Sequence, residues 1–229
     1  MLRFLGTGLA PVNHPSFKPR LEHYTSLGAF LLGTLMLIMP SGYSVGAGWL
    51  LLGSVFFLAR RPALALTSGD IWFAGVFTLY ALIHICEAGW DGQGLSGVDA
   101  PLRFLLAIPV MLLIKAYPPR LAWLWSGIAV GALGAGSLAI WQTFGLEMSR
   151  ASGFQNAIQF GNLSMLLGAF CLAGLGWACD QPQRRRWALI LLVCALFGVI
   201  GSLLSGSRGG WIGVPFIVFV LYRAYGRSL

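Results

Sequence analysis

The chain has 229 residues, of which 57% are hydrophobic and only 10% are charged. So few charged side chains cannot cover a water-soluble globule, and the composition is typical of a protein that is mostly surrounded by lipid. The formal net charge of +8 comes from residues between the hydrophobic stretches. It favours anionic membrane lipid as a partner, and we predict no nucleic acid partner.

Eight hydrophobic stretches approach the roughly 20 mainly apolar residues that a membrane-spanning helix needs. They are Tyr24–Met39, Val45–Leu58, Ile71–Ile85, Leu102–Ile114, Leu121–Phe144, Ala157–Cys179, Trp187–Leu204 and Trp211–Tyr222. The first has no small-residue cleavage site after it, so we predict a retained span and not a signal peptide. The pattern predicts an all-α fold, a polytopic transmembrane helical bundle of about eight spans that forms a single domain over residues 1–229.

Lysine and arginine are distributed unevenly around these spans. Twelve of the 15 lie at alternate ends: Arg3, Lys18, Arg20, Arg60, Arg61, Lys115, Arg120, Arg184, Arg185, Arg186, Arg223 and Arg227. Loops rich in basic residues stay in the cytoplasm, so the pattern predicts that both termini are cytoplasmic. The opposite ends hold only Arg103, Arg150 and Arg208, and these three cations need a functional explanation.

Two predicted outer loops differ in character. Residues Glu87–Pro101 combine four glycines with three acids, which predicts a flexible loop with a helix start at Asp99 and Pro101. The second, Gly145–Asn156, is polar and contains Arg150. Between these loops, the fifth span carries Gly127 and Gly131, a spacing that favours close packing of helix backbones.

The segment between spans seven and eight reads Ser205-Gly206-Ser207-Arg208-Gly209-Gly210. An arginine at membrane depth is expensive, and glycines beside it let the backbone bend close to a ligand. The guanidinium matches two phosphate oxygens, and the helix that starts near Trp211 offers its positive end. Arg208 therefore indicates an anion site, although an arginine that extends to the lipid headgroups remains the alternative.

Arg150 opens a polar segment that runs into span six. The amides of Gln155, Asn156, Gln159 and Asn162 there predict a wet cavity, because amides within a membrane need partners. The alternative is a capped helix start in which Glu147 pairs with Arg150. Arg103 is explained equally well by substrate contact or by a local ion pair with Asp99, four residues earlier.

Tyr80, His84 and Glu87 share one helical face at the end of span three. A hydrogen-bonded, neutral histidine near the membrane interface is one interpretation, and a general base or proton carrier is the other. The sequence contains no spacing typical of metal ligands, so we predict no metal site.

Two segments resemble the signature of the O-antigen ligase and O-antigen polymerase superfamily. They are RASGFQNAIQFGNLSMLLG at Arg150–Gly168 and LLSGSRGGWIG at Leu203–Gly213. In the family, an Arg-x-Ser/Thr-Gly segment with a following Asn and Phe-Gly precedes one span, and a Ser-Arg-Gly-Ala/Gly run opens another. The resemblance is close over residues about 145–215, whereas the first five spans resemble the family only in being hydrophobic spans.

The resemblance implies an O-antigen ligase of lipopolysaccharide biosynthesis, an inverting, metal-independent glycosyltransferase of the bacterial inner membrane that needs no cofactor. Its donor is a glycan on undecaprenyl pyrophosphate, and its acceptor is a sugar hydroxyl of the lipid A core at the periplasmic face. Arg208 and Arg150 match the family's catalytic arginines. The predicted substrate-binding residues are Arg208, Arg150, Asn156, Ser207, Gly209 and Arg103.

The chain also departs from the family pattern. Members usually have about twelve spans and a large periplasmic loop that carries a histidine, proposed as the general base, and a further arginine. We therefore expect residues 1–229 to be the N-terminal portion of a longer ligase, and we do not give the missing role to His84. An O-antigen polymerase or a protein O-oligosaccharyltransferase of the same superfamily are alternatives, and a transporter or flippase for an anionic lipid is the alternative from another class.

The predicted topology can be tested with reporter fusions. Because basic loops resist translocation, fusions at Arg61, Arg120 and Arg185 should report the cytoplasm, and fusions at Gly94 and Ser149 should report the periplasm. A periplasmic signal at Arg185 would contradict the arrangement of eight spans.

Overall fold

The computed structural model describes residues 18–59, 64–92 and 94–225, and these residues are mainly helical with no strand. The helices are α1 (Lys18–Leu35), α2 (Gly42–Ala59), α3 (Ser68–Trp90), α4 (Leu95–Ala116), α5 (Leu121–Ile140), α6 (Ala157–Cys179), α7 (Arg184–Ser205) and α8 (Gly209–Tyr225). A short π-helix, Trp141–Gly145, continues α5. The prediction of an all-α fold is confirmed for the described residues.

Within those ranges, five helical segments are long and apolar enough to cross a bilayer. They are Ser68–Trp90, Gly97–Ala116, Leu121–Gly145, Ala157–Cys179 and Arg184–Ser205, and Gly42–Phe57 is a shorter apolar helix. These segments indicate a multi-pass membrane protein. The number of eight spans, the side on which the termini lie and the identity of the membrane stay predictions.

The prediction of a loop over Glu87–Pro101 is wrong for most of that range. Helix α3 continues to Trp90 and α4 already begins at Leu95, so only four residues separate the two helices. The glycines suggested flexibility, but those at positions 89 and 97 lie within helices. Tertiary packing of α3 against α4 outweighs the low helix propensity of glycine here.

The chain divides into two compact units. Of the described residues, the first unit contains those within 18–25 and 50–118, and the second contains those within 26–49 and 119–225. In the first unit α3 packs against α4. Lys115 forms an ion pair with Asp70 near one end of this helix pair, and the Phe104 ring lies 4.5 Å from the Tyr80 ring farther along.

The second unit is built around α5, α6 and α7, and α8 packs against α6. Its core is lined mainly by small side chains, among them Ala132, Ala135, Cys171 and Cys194. A Cβ atom placed on Gly198 of α7 would lie 2.7 Å from the Ser164 carbonyl oxygen of α6. The backbones of α6 and α7 therefore touch, and only glycine fits at this crossing.

The predicted role of Gly127 and Gly131 is confirmed. A Cβ atom on Gly127 would lie 2.7 Å from the backbone of Phe30, and one on Gly131 would overlap the Gly33 carbonyl oxygen. Because all four residues belong to the second unit, the small-residue spacing in α5 lets the C-terminal part of α1 pack directly against its backbone.

Replacing Gly198 should loosen the contact between α6 and α7. Gly198→Ala places a methyl group against backbone that cannot move aside, so we expect a loss of about 1–3 kcal/mol in the free energy of unfolding. Thermal unfolding of the purified protein in detergent measures the change. Gly75→Ala is the matched control, because no atom lies within 4 Å of a Cβ at that helical glycine; equal midpoints for the two variants would contradict the close approach.

Candidate functional site

The segment that carries Arg150 is held in place by a buried glutamine. Gln142, which is only 6% exposed, lies in the π-helix at the end of α5. Its Oε1 accepts hydrogen bonds from the backbone N–H groups of Ser152 (3.0 Å) and Gly153 (2.9 Å). Its Nε2 donates to the Gly153 carbonyl oxygen at 2.9 Å.

Gln142 was not among the site residues predicted from the sequence. Its side chain forms three hydrogen bonds with backbone groups that have no partner in a helix. Gln142 therefore fixes the path of the connection between α5 and α6. A signal was present in the sequence, because a glutamine within an otherwise apolar span has to find a polar partner. The sequence did not show that this partner is the backbone beside Arg150.

Arg150 joins this connection to the end of α7. Its Nε donates a hydrogen bond of 2.7 Å to the Ser205 carbonyl oxygen, and the N–H of Ala151 donates to the Leu204 carbonyl oxygen at 3.0 Å. These bonds satisfy two carbonyl groups in the last turn of α7, which have no partner within the helix. The two segments that resemble the family signature, Arg150–Gly168 and Leu203–Gly213, are therefore in contact.

The alternative in which Glu147 pairs with Arg150 is wrong. Among the described residues, the two side chains form no ion pair, and Glu147 itself sits at a positive φ of 53°. The capped helix start that the same alternative predicted is confirmed, because Oδ1 of Asn156 accepts a hydrogen bond from the N–H of Ile158 at 2.9 Å.

Helix α7 ends in a left-handed turn at Gly206, where φ is +65°. A side chain there would be strained by the backbone conformation. It would also meet Arg150, because a Cβ atom on Gly206 would lie 3.2 Å from Nε of Arg150. Glycine at this position thus allows the arginine to lie across the end of α7.

Ser207 ties the same turn to α6. It is 3% exposed, and its hydroxyl donates to Oδ1 of Asn162 at 2.8 Å, while its backbone N–H donates to Oγ of Ser205 at 3.2 Å. Asn162 also faces Gly209, where a Cβ atom would lie 3.0 Å from Oδ1. The turn is therefore fixed on both sides of Arg208.

Arg208 is exposed at the centre of this fixed turn. In the part of the chain that the structure describes, no group forms a hydrogen bond or an ion pair with the Arg208 guanidinium. Of the Arg150 guanidinium, only Nε forms a hydrogen bond to a described residue. Helix α8 begins at the next residue, Gly209. An exposed guanidinium group thus lies beside a helix N-terminus, three residues after the carbonyl group that holds Arg150. Guanidinium groups and helix N-termini both favour binding of an anion.

Two further predicted site residues take part in local contacts. Asn156 is the α6 cap described above, and Arg103 lies in the first unit, where it forms an ion pair with Asp99. The local explanation of Arg103 is confirmed, and a role in substrate binding stays a prediction for both residues. His84 likewise has the predicted hydrogen-bonded setting, since Nδ1 lies 3.0 Å from Oε2 of Glu87.

Comparison with known proteins shows one relative. The chain is 29% identical over 191 residues to an uncharacterized protein of Haemophilus influenzae (strain ATCC 51907 / DSM 11121 / KW20 / Rd). The match covers 83% of this chain and 48% of that protein, so the chain spans about half the length of this relative. No protein-family model matches the chain, and no solved structure matches it.

Replacing Gln142 should release the segment before α6. Gln142→Leu keeps the approximate size of the side chain but leaves two backbone N–H groups and one carbonyl oxygen without partners, so we expect a loss of about 1–3 kcal/mol in stability. Hydrogen exchange of peptides that contain Ser152 and Gly153 should become faster. Gln159→Leu is the control, because Gln159 is exposed; unchanged exchange in Gln142→Leu would mean that the glutamine does not hold this segment.

Proposed function

We propose that the protein acts as an O-antigen ligase. In this proposal it transfers a glycan from undecaprenyl pyrophosphate to a sugar hydroxyl of the lipid A core, without a metal and with inversion at the anomeric carbon. The reaction takes place at the periplasmic face of the bacterial inner membrane. The proposal extends to this chain what the resemblance of the two segments implies.

The contact between Arg150 and the end of α7 carries the proposal. The hydrogen bond from Nε of Arg150 to Ser205 brings together residues that are 55 positions apart in the chain, and Arg208 follows three residues later. Sequence resemblance alone would not require these segments to touch. Their contact supports a single anion site to which both arginines contribute.

The charge of this site suits a diphosphate. When the acceptor oxygen bonds to the anomeric carbon, the bond from that carbon to the diphosphate oxygen breaks and the departing group gains negative charge. Guanidinium groups already in place stabilise that charge without reorganisation. The described carboxylates form no ion pair with either arginine, so the positive charge is available to a ligand.

The acceptor hydroxyl must also lose its proton to a base. The resemblance assigns this task to a histidine in a periplasmic loop that follows the matched region in the family. The residues described here supply the electrostatic part of the reaction: Arg208 and Arg150 contact the diphosphate, while Gln142, Asn162 and Ser207 position the backbone that carries the two arginines.

Alanine replacement of each arginine tests whether both act on one diphosphate. Losing one preorganised donor should lower transfer by about 10²–10³-fold. Because the two groups act on the same charge, the double variant should lose less than the product of the two single losses. Arg208→Lys keeps the charge but not the planar fork, so it should also lose much of the activity. The assay is transfer of lipid-linked glycan to lipid A core in vesicles with the full-length protein, normalised to folded protein.

Arg185→Ala is the matched control, because Arg185 is an exposed arginine at the start of α7, away from the turn at its end. It should retain full activity. Full activity of Arg208→Ala, or independent multiplicative losses in the double variant, would contradict the shared site. Disappearance of the donor from the outer leaflet without release of undecaprenyl pyrophosphate would favour a transporter, and joining of donor glycans to one another would favour a polymerase.

A further inference from the structure

A cavity lies in the first unit, between α3 and α4. It has a volume of about 300 Å³ and is lined by Tyr80, His84 and Glu87 of α3 and by Phe104 and small residues of α4. Seventeen residues separate Glu87 from the Asp70–Lys115 ion pair, a rise of about 25 Å along α3. This distance is close to the thickness of the hydrocarbon core, so the cavity lies near the membrane interface opposite that ion pair.

Aromatic rings form one part of the cavity wall. The Tyr80 ring centroid lies 4.3 Å from that of His84 and 4.5 Å from that of Phe104. Phe104 in turn contacts Phe77, at 5.4 Å between centroids. This packing holds the rings in place, and the faces of aromatic rings attract cations.

The polar atoms of the cavity are mainly hydrogen-bond acceptors. His84 Nδ1 lies 3.0 Å from Glu87 Oε2, and an ionised carboxylate can only accept, so Nδ1 of a neutral imidazole carries the proton and donates. Nε2 of His84 is then an acceptor. The second carboxylate oxygen of Glu87 is an acceptor as well, and the Tyr80 hydroxyl can serve as either.

The charge of the cavity is negative. Glu87 contributes a carboxylate to the cavity wall, while Asp99 and Arg103 pair with each other on the next helix. Asp91, on the turn after α3, lies outside the lining of the cavity. A ligand that complements these features has a positive charge, several donors and small size.

We propose that this cavity binds the primary ammonium group of an amine. Such a group supplies three N–H donors for the acceptors of Glu87 and His84 and a charge for the ring faces of Tyr80 and Phe104. The amine can come from an ethanolamine phospholipid headgroup or from an amino sugar. The inference does not rest on the proposed glycan transfer.

The test uses the whole protein, labelled with ¹⁵N-histidine, in lipid nanodiscs of phosphatidylcholine and phosphatidylglycerol. The chain has three histidines, so His84→Gln identifies the signal of His84. Replacing part of the phosphatidylcholine by phosphatidylethanolamine should shift the His84 Nε2 resonance with saturation. Glucosamine added to discs without phosphatidylethanolamine forms a second arm, with glucose as its uncharged counterpart.

A shift with either amine supports the proposal, and the arm that responds at the lower concentration identifies the source. Glu87→Gln removes the charge and should raise the half-saturating amine concentration by roughly tenfold. Asp91→Asn removes a carboxylate beside the cavity and should leave binding within about twofold. Size-exclusion chromatography confirms that each variant is folded.

Three results would overturn the proposal. The first is an unshifted His84 signal with both amines. The second is an equal response to glucose and glucosamine, which would indicate sugar binding without a role for the ammonium group. The third is unchanged binding in folded Glu87→Gln protein.

Discussion

The direct contact between the backbones of α6 and α7 is the constraint on which the candidate site depends. Gly198 and Gly168 face each other at the crossing, with 2.8 Å between a Cβ position on Gly198 and the Gly168 backbone. Nearer the site, a Cβ atom on Gly161 would overlap Oγ of Ser205. Each glycine shortens the distance between helix axes, so the end of α7 reaches the segment that precedes α6. Without this approach, Arg150 could not reach the carbonyl groups of the last α7 turn.

The site uses backbone groups where other proteins use acidic side chains. Arginines in membrane proteins usually pair with a carboxylate or extend to the interface. Here the Ser205 carbonyl oxygen fixes Arg150 through a single nitrogen. A carbonyl dipole positions the side chain without cancelling its charge, so the rest of the guanidinium group keeps its attraction for an anion. This distinguishes the pair of arginines from Arg103, whose charge is balanced by Asp99.

The sequence predicted the helices well because hydrophobic length is a strong signal in membrane proteins. The bounds predicted for the sixth span, Ala157–Cys179, are those of α6. The loop over Glu87–Pro101 was mispredicted because glycine and acidic residues are typical of loops, whereas their packing in a helix pair cannot be read from the chain. The motifs identified Arg150 and Arg208 as a potential pair, but the sequence could not show that Ser205 receives the Arg150 hydrogen bond. Gln142 was missed for the same physical reason, since a buried amide and the backbone that it satisfies are joined only in three dimensions.

The π-helix at Trp141–Gly145 gives the end of α5 a property that an ordinary α-helix lacks. A π-helical turn contains an additional residue compared with an α-helical turn, and such turns are frequent at functional sites. The extra residue changes the direction in which the following side chains leave the helix axis by about 100°. Gln142 comes before this extra residue and lies three residues after the buried Ala139, on the same face that α5 buries along its length. The π-helical turn is closed by a hydrogen bond of 3.0 Å from the Leu146 N–H to the Trp141 carbonyl oxygen. The chain therefore leaves α5 in a different direction from the one that a continued α-helix would give, and this new direction leads to the segment that carries Arg150.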